Sequence, residues 1–145
     1  MYRFKLEALL THRRHQEEKC QKELAQARRK LSDERVKLEQ KKRKKQEYLE
    51  ILKSRQKRHT NVTEIILYTD YIQELSKGIE SQTVLVNESI RTVDLKRQEL
   101  VVVMKKYKTL KKLKYREMQA YQRKLLHDER KLMDEFASIR HFRKV

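Results

Sequence analysis

Proline is absent from this 145-residue chain, glycine occurs once, at Gly78, and cysteine once, at Cys20. Each scarcity excludes something. Without turn residues the chain has few corners and must run straight over long stretches. A lone cysteine forms no intramolecular disulfide and fits a reducing compartment. Long apolar runs are also missing. The longest, Leu100, Val101, Val102, Val103 and Met104, falls far short of the ~20 residues needed to span a bilayer. The first residues lead into charge rather than an apolar stretch, so no signal peptide is read there. A cytoplasmic protein is expected.

Acidic residues are outnumbered as well. Lys and Arg total 38 against 21 Asp and Glu, a formal net charge of +17 with a pI near 10. Such a balance favours acidic partners, whether nucleic acid, an anionic membrane surface or an acidic protein, without choosing among them. Charged residues make up 41% of the chain and hydrophobic ones 37%. That is too little apolar material for a thick core but enough for a seam between helices. The fold class expected is all-α: two long helices in an antiparallel coiled-coil hairpin, one domain over 1–145.

The turn is placed at about 59–62, inside a stretch of β-branched and Asn residues that are poor in helix interiors and good at helix starts. Asn61 followed by Glu64, just before Ile65, Ile66 and Leu67, has the form of a helix-start box. The Asn61 side chain accepts from a backbone N–H, and Glu64 is in position to reach back. A rival turn at 76–78, beside Gly78, would give more equal arms. It is disfavoured because an apolar column runs straight through it.

The first helix is expected over about 4–58. Leu10, Leu24, Leu31, Leu38 and Leu52 share one heptad column with Glu17 and Lys45. The companion column is weaker, comprising Leu6, Arg13, Cys20, Ala27, Glu34, Lys41 and Tyr48. One strong column beside a weak one indicates a narrow seam for a single partner helix. The second helix is expected over about 63–141. Ile65, Ile72, Ile79, Val86, Val93, Leu100 and Tyr107 recur every seven residues, beside Tyr68, Leu75, Gln82, Ser89, Lys96, Val103 and Leu110. From about Leu100 a further column, Met104, Met118, Leu125, Leu132 and Ile139, suggests that the packing partner changes or ends.

With the turn near 60, the first helix reaches back only to about 118–121. Roughly 25 residues then overhang, a length of about 35–40 Å at the helical rise. That overhang is still amphipathic, with Tyr121, Leu125, Leu132, Met133, Phe136, Ile139 and Phe142. An apolar stripe without an internal partner reads as a partner-binding segment, and the alternative is a fraying tail. Charge is uneven too: +11 over 1–58, −3 over 59–100 and +9 over 101–145. In a hairpin the two basic stretches meet at the end that carries the termini.

No glycine-rich phosphate loop, HExxH, paired-cysteine motif or nucleophile elbow is present. Two helices also offer no deep pocket in which to tune a catalytic group. A binding protein is expected, not an enzyme, with no cofactor. His12, His15 and Cys20 lie on one helix and do not converge as metal ligands. The block at Lys41, Lys42, Arg43, Lys44 and Lys45 reads either as a nucleic-acid or anionic-lipid patch or as a solvated face whose aliphatic stems cover the seam.

Three segments resemble the FliJ family of the bacterial flagellar type III export apparatus. The opening FKLEALL at 4–10 is similar to that family's first signature. LYTDYIQEL at 67–75, with Ile79 beyond, resembles its aromatic and leucine pattern after the turn, and KLMDEFA at 131–137 its terminal motif. The resemblance implies a hairpin similar to the gamma-subunit stalk of rotary ATP synthases. It further implies binding to the export ATPase hexamer through the end with the termini, contact with the linker of the export-gate protein FlhA, and handling of export chaperones. Position by position, Tyr48, Tyr71, Leu75 and Gly78 correspond to the gate-contacting surface. The ring contact would fall to the overhang, at Leu125, Leu132, Met133, Phe136, Ile139 and Arg140. Association with the inner face of the membrane would then run through protein partners, with no specific nucleic acid bound. Two rivals stand beside this: a basic hairpin that binds nucleic acid, and a structural coiled-coil spacer.

Overall fold

The computed structural model describes residues 2–58 and 61–144. It contains two helices, α1 (Glu7–Lys57) and α2 (Val62–Lys144), packed as an all-α antiparallel hairpin. His59 and Thr60, where the turn was placed, lie outside the described residues. The start of α2 is described. Asn61 Oδ1 accepts from the Thr63 N–H at 3.2 Å, and its carbonyl accepts from the Glu64 and Ile65 N–H groups at 3.1 and 3.3 Å. Asn61 thus satisfies donors that a helix start leaves orphaned. The Glu64 carboxylate is held by Arg55 Nη1 of α1 at 2.9 Å.

Packing groups the chain into two compact units, 20–100 and 1–19 with 101–145. In the first, both heptad columns face inward. Leu24, Ala27 and Val93 form a buried cluster, with Leu31 and Leu100 packed against it. No described side chain is completely buried, as expected for a two-helix seam. The deepest positions include polar ones, Gln82 at 3% exposure, below even Val93 at 4%, and Ser89 at 6%. The Gln82 amide donates to the Glu34 carbonyl at 2.9 Å and to the Glu34 carboxylate, while its oxygen accepts from Lys41 Nζ at 3.5 Å. A polar layer therefore crosses the seam, with its members hydrogen-bonded as burial demands. Further along, Lys96 bridges Glu23 of α1 at 3.1 Å and Glu99 at 3.4 Å.

In the second unit, the α1 strand of the seam starts later than Phe4, because residues 2–6 are not helical. They form a strap over α2. Phe4 is buried, and the Glu7 N–H donates to its carbonyl at 3.2 Å. The Tyr2 hydroxyl donates to the Lys114 carbonyl at 3.5 Å and to Glu117 at 3.3 Å, and its ring packs on Tyr121 at 5.5 Å between centroids. Opposite them, α2 contributes Val103, Tyr107, Leu110 and Lys114, all half-buried. The expected drift onto the column of Met104 and Met118 is not followed, since both are exposed. Lys114 takes a seam-edge place because its stem packs while its ammonium pairs with Glu7 at 2.8 Å.

Candidate partner-binding surfaces

The unit at 20–100 carries an aromatic cluster. Tyr48 on α1 meets Tyr71 on α2 edge-on at 4.6 Å between centroids and Tyr68 at 6.2 Å. Tyr48 and Tyr68 hold companion-column positions, and Tyr71 lies three residues from Tyr68, so the helical repeat brings the rings together. Two cations lie over the rings, Lys44 on Tyr71 at 5.7 Å and Arg55 on Tyr68 at 5.2 Å. The Lys44 ammonium is held charged to higher pH than usual by its contact with the Tyr71 hydroxyl. Tyr48, Arg55, Glu64, Leu67, Tyr68 and Tyr71 line a shallow cleft of ≈ 340 Å³. Leu67 and Ile66 are exposed beside it. Apolar rims around fixed aromatic rings suit a partner's side chains better than a small substrate.

Tyr48 and Tyr71 are thus brought together, with Tyr71 at the surface. Leu75 is half-buried in the seam column. Gly78 is half-buried, with nothing within 4 Å of where a Cβ would stand. The sequence places Tyr68 in the seam and Leu67 in the family-like segment, but assigns neither of them, nor Arg55, a contact role. Their signal was available in the three-residue step from Tyr68 to Tyr71, which places two rings on adjoining faces of one helix.

The unit that holds the termini has a different surface. Every described residue after Gln119 is exposed, because the strap from α1 ends on Tyr121. Leu125, Leu132, Met133, Phe136 and Ile139 are all open to solvent, within a range from 37% at Tyr121 to 83% at Phe142. At 100° per residue, Leu125, Leu132, Phe136 and Ile139 fall within an arc of about 60°. Arg140 borders that arc, so the stripe is one continuous face with a cation on its edge.

A family model described as Flagellar FliJ protein matches residues 2–145. The chain belongs to the FliJ family. No curated protein matches its sequence. Among solved structures, CT670 from Chlamydia trachomatis, described as a YscO homolog, is similar at a TM-score of 0.60 and 21% identity, over 97% of this chain and 96% of that one. At that identity the likeness speaks to fold, and it extends along nearly the whole hairpin. Membership of the FliJ family makes the chain a component of flagellar type III export.

Other features of this FliJ-family chain fit a protein that binds partners. Among the described residues no helix is long and apolar enough to cross a membrane. No group of three or more His, Cys, Asp or Glu among them could hold a metal ion. His15 faces Glu18 at 3.6 Å, and Cys20 is free. In the basic block, Lys41 and Lys45 are half-buried along the seam while Lys42, Arg43 and Lys44 are exposed, an arrangement of stems over apolar surface and charges in water.

Proposed function

We propose that this protein is a stalk of the flagellar export machinery that acts by binding and performs no chemistry of its own. The exposed tail of α2 enters and steadies the export ATPase ring through Leu125, Leu132, Met133, Phe136, Ile139 and Arg140. The aromatic surface at Tyr48 and Tyr71, with Leu75 and Gly78 beside it, meets the FlhA linker. Export chaperones are a third class of partner, and the protein works in the cytoplasm at the inner face of the membrane. The observation that carries this reading is the continuous apolar stripe beyond Tyr121, which has no intramolecular partner in a FliJ-family chain. An apolar face of that length costs solubility unless something covers it.

The test is the activity of the organism's export ATPase with this protein added, whole or truncated after Gln122. It is run at physiological salt with an unrelated basic coiled coil as control. Stimulation by the whole chain and its loss on truncation are expected. If the truncated chain binds and stimulates as well as the whole, the tail does not contact the ring.

A further inference from the structure

A second face of α2, about 130° around the helix from the tail's apolar stripe, is densely basic. Residues 101–116 contain seven cations and no carboxylate. At 100° per residue, Val102, Thr109, Leu113 and Ala120 fall in one line, about 110° around α2 from the seam residues Val103, Tyr107, Leu110 and Lys114, and at its edge Thr109, Lys105 and Lys106 share a groove with Leu9 and Arg13 of α1. Lys105, Lys112 and Arg116 border that line on one side, and Lys106 and Lys124 on the other. All nine residues are exposed, Val102 at 52% and Leu113 at 38%. The Thr109 hydroxyl is occupied by the Lys105 carbonyl at 2.8 Å, which leaves its methyl group to the surface. Residues 101–124 contain a single carboxylate. That one, Glu117, receives the Tyr2 hydroxyl.

We propose that this face, over residues 102–124, lies directly on an anionic lipid bilayer. An apolar line between two cationic rows matches the headgroup boundary. Val102, Leu113 and the Thr109 methyl enter the acyl edge, while the lysine stems reach outward to the phosphates. The face is straight for about 33 Å, and a bilayer offers a plane of that extent. Nucleic acid fits less well, because it has nothing to offer the apolar line and the face presents no aromatic ring to stack on bases. The inference stands apart from the ring and gate contacts proposed above, in which the membrane is reached through proteins. Because the tail stripe lies further along α2 and about 130° around it, either face is open while the other is occupied.

Co-sedimentation of the whole protein with vesicles tests this, using phosphatidylcholine alone or mixed with phosphatidylglycerol, at physiological salt. Binding to the mixed vesicles only is expected. Each exposed cation contributes about a fivefold factor in partitioning, so Lys105→Gln, Lys112→Gln and Arg116→Gln together lower it on the order of 100-fold. An equal charge change at Lys42→Gln, Arg43→Gln and Lys44→Gln serves as control and changes it only a few-fold. Leu113→Asn weakens binding at unchanged net charge, and circular dichroism confirms that each variant is helical. Equal loss in the control, indifference to Leu113→Asn, absence of binding, or tighter capture of the same face by a DNA duplex each overturns the proposal. Assaying ATPase stimulation of the same variants without vesicles separates this result from that of the ring contact.

Discussion

Replacing Gln82 by Leu leaves the half-buried carboxylate of Glu34 with only its longer ion pair to Lys37 at 3.7 Å. The Gln82 amide donates both to that carboxylate and to the Glu34 carbonyl, and the Glu34 side chain is only 13% exposed. A bond to a charged group is worth about 1.5–3 kcal/mol net and a neutral one about 0.5–1.5. The leucine returns about 1–2 kcal/mol, because part of the glutamine was already buried and each methylene contributes about 0.8. The single substitution is therefore expected to cost about 1–2 kcal/mol. Adding Glu34→Leu removes the under-bonded charge and extends the apolar column, so the double variant should match or exceed the parent. Urea unfolding followed by helical circular dichroism measures all four corners of the cycle. A Gln82→Leu protein as stable as the parent refutes the reasoning, since the Glu34 carboxylate would then simply swing to water.

Gly78→Ala should raise stability by about 1 kcal/mol, since the position is helical and open, and thermal unfolding reads it directly. If the gate protein docks there, the same change weakens its binding. Asn61→Ala should cost about 0.5–2 kcal/mol through the lost cap at the start of α2, seen in the same unfolding experiment. Lys96, held by bonds to Glu23 and then Glu99, has its ammonium pushed above the usual lysine range. A raised pKa means the stabilisation is whole below about 10.4 and is lost as pH rises through the raised value. Lys96→Met should flatten that alkaline loss. Desolvation and Glu117 raise the Tyr2 hydroxyl, so phenolate absorbance should show one tyrosine ionising late, absent in Tyr2→Phe.

The seven-residue columns were legible because a two-helix seam imposes one simple rule on every turn. Leu24, Val86 and Val93 obey it, and so do Tyr48 and Tyr68. The polar layer was visible only as a gap in the companion column. Periodicity marks which residues face inward, but not that Gln82 would find both a carbonyl and a carboxylate across the seam. The column at Met104 and Met118 misled for a related reason. Apolar spacing alone ranks methionine above Lys114, whereas packing rewards a long amphipathic side chain that covers the seam and ends on Glu7. The strap at Tyr2 and Phe4 left no periodic trace because it is not helical. As for the candidate surfaces, the tail stripe followed from counting residues past the turn. The step from Tyr68 to Tyr71 was legible as two rings on adjoining faces, but the cleft they form with Leu67 and Arg55 needed coordinates.

That no described side chain is completely buried bears on kinetics. A globular core opens nearly all at once, because releasing one element uncovers the rest. Here each turn leans mainly on the turn across from it, so separation can travel along the seam a few residues at a time. Amide exchange should therefore form a gradient, slowest around Leu24 and Val93 and fastest at the tail, rather than a plateau. A partner that grips one end can draw a few turns apart without melting the other.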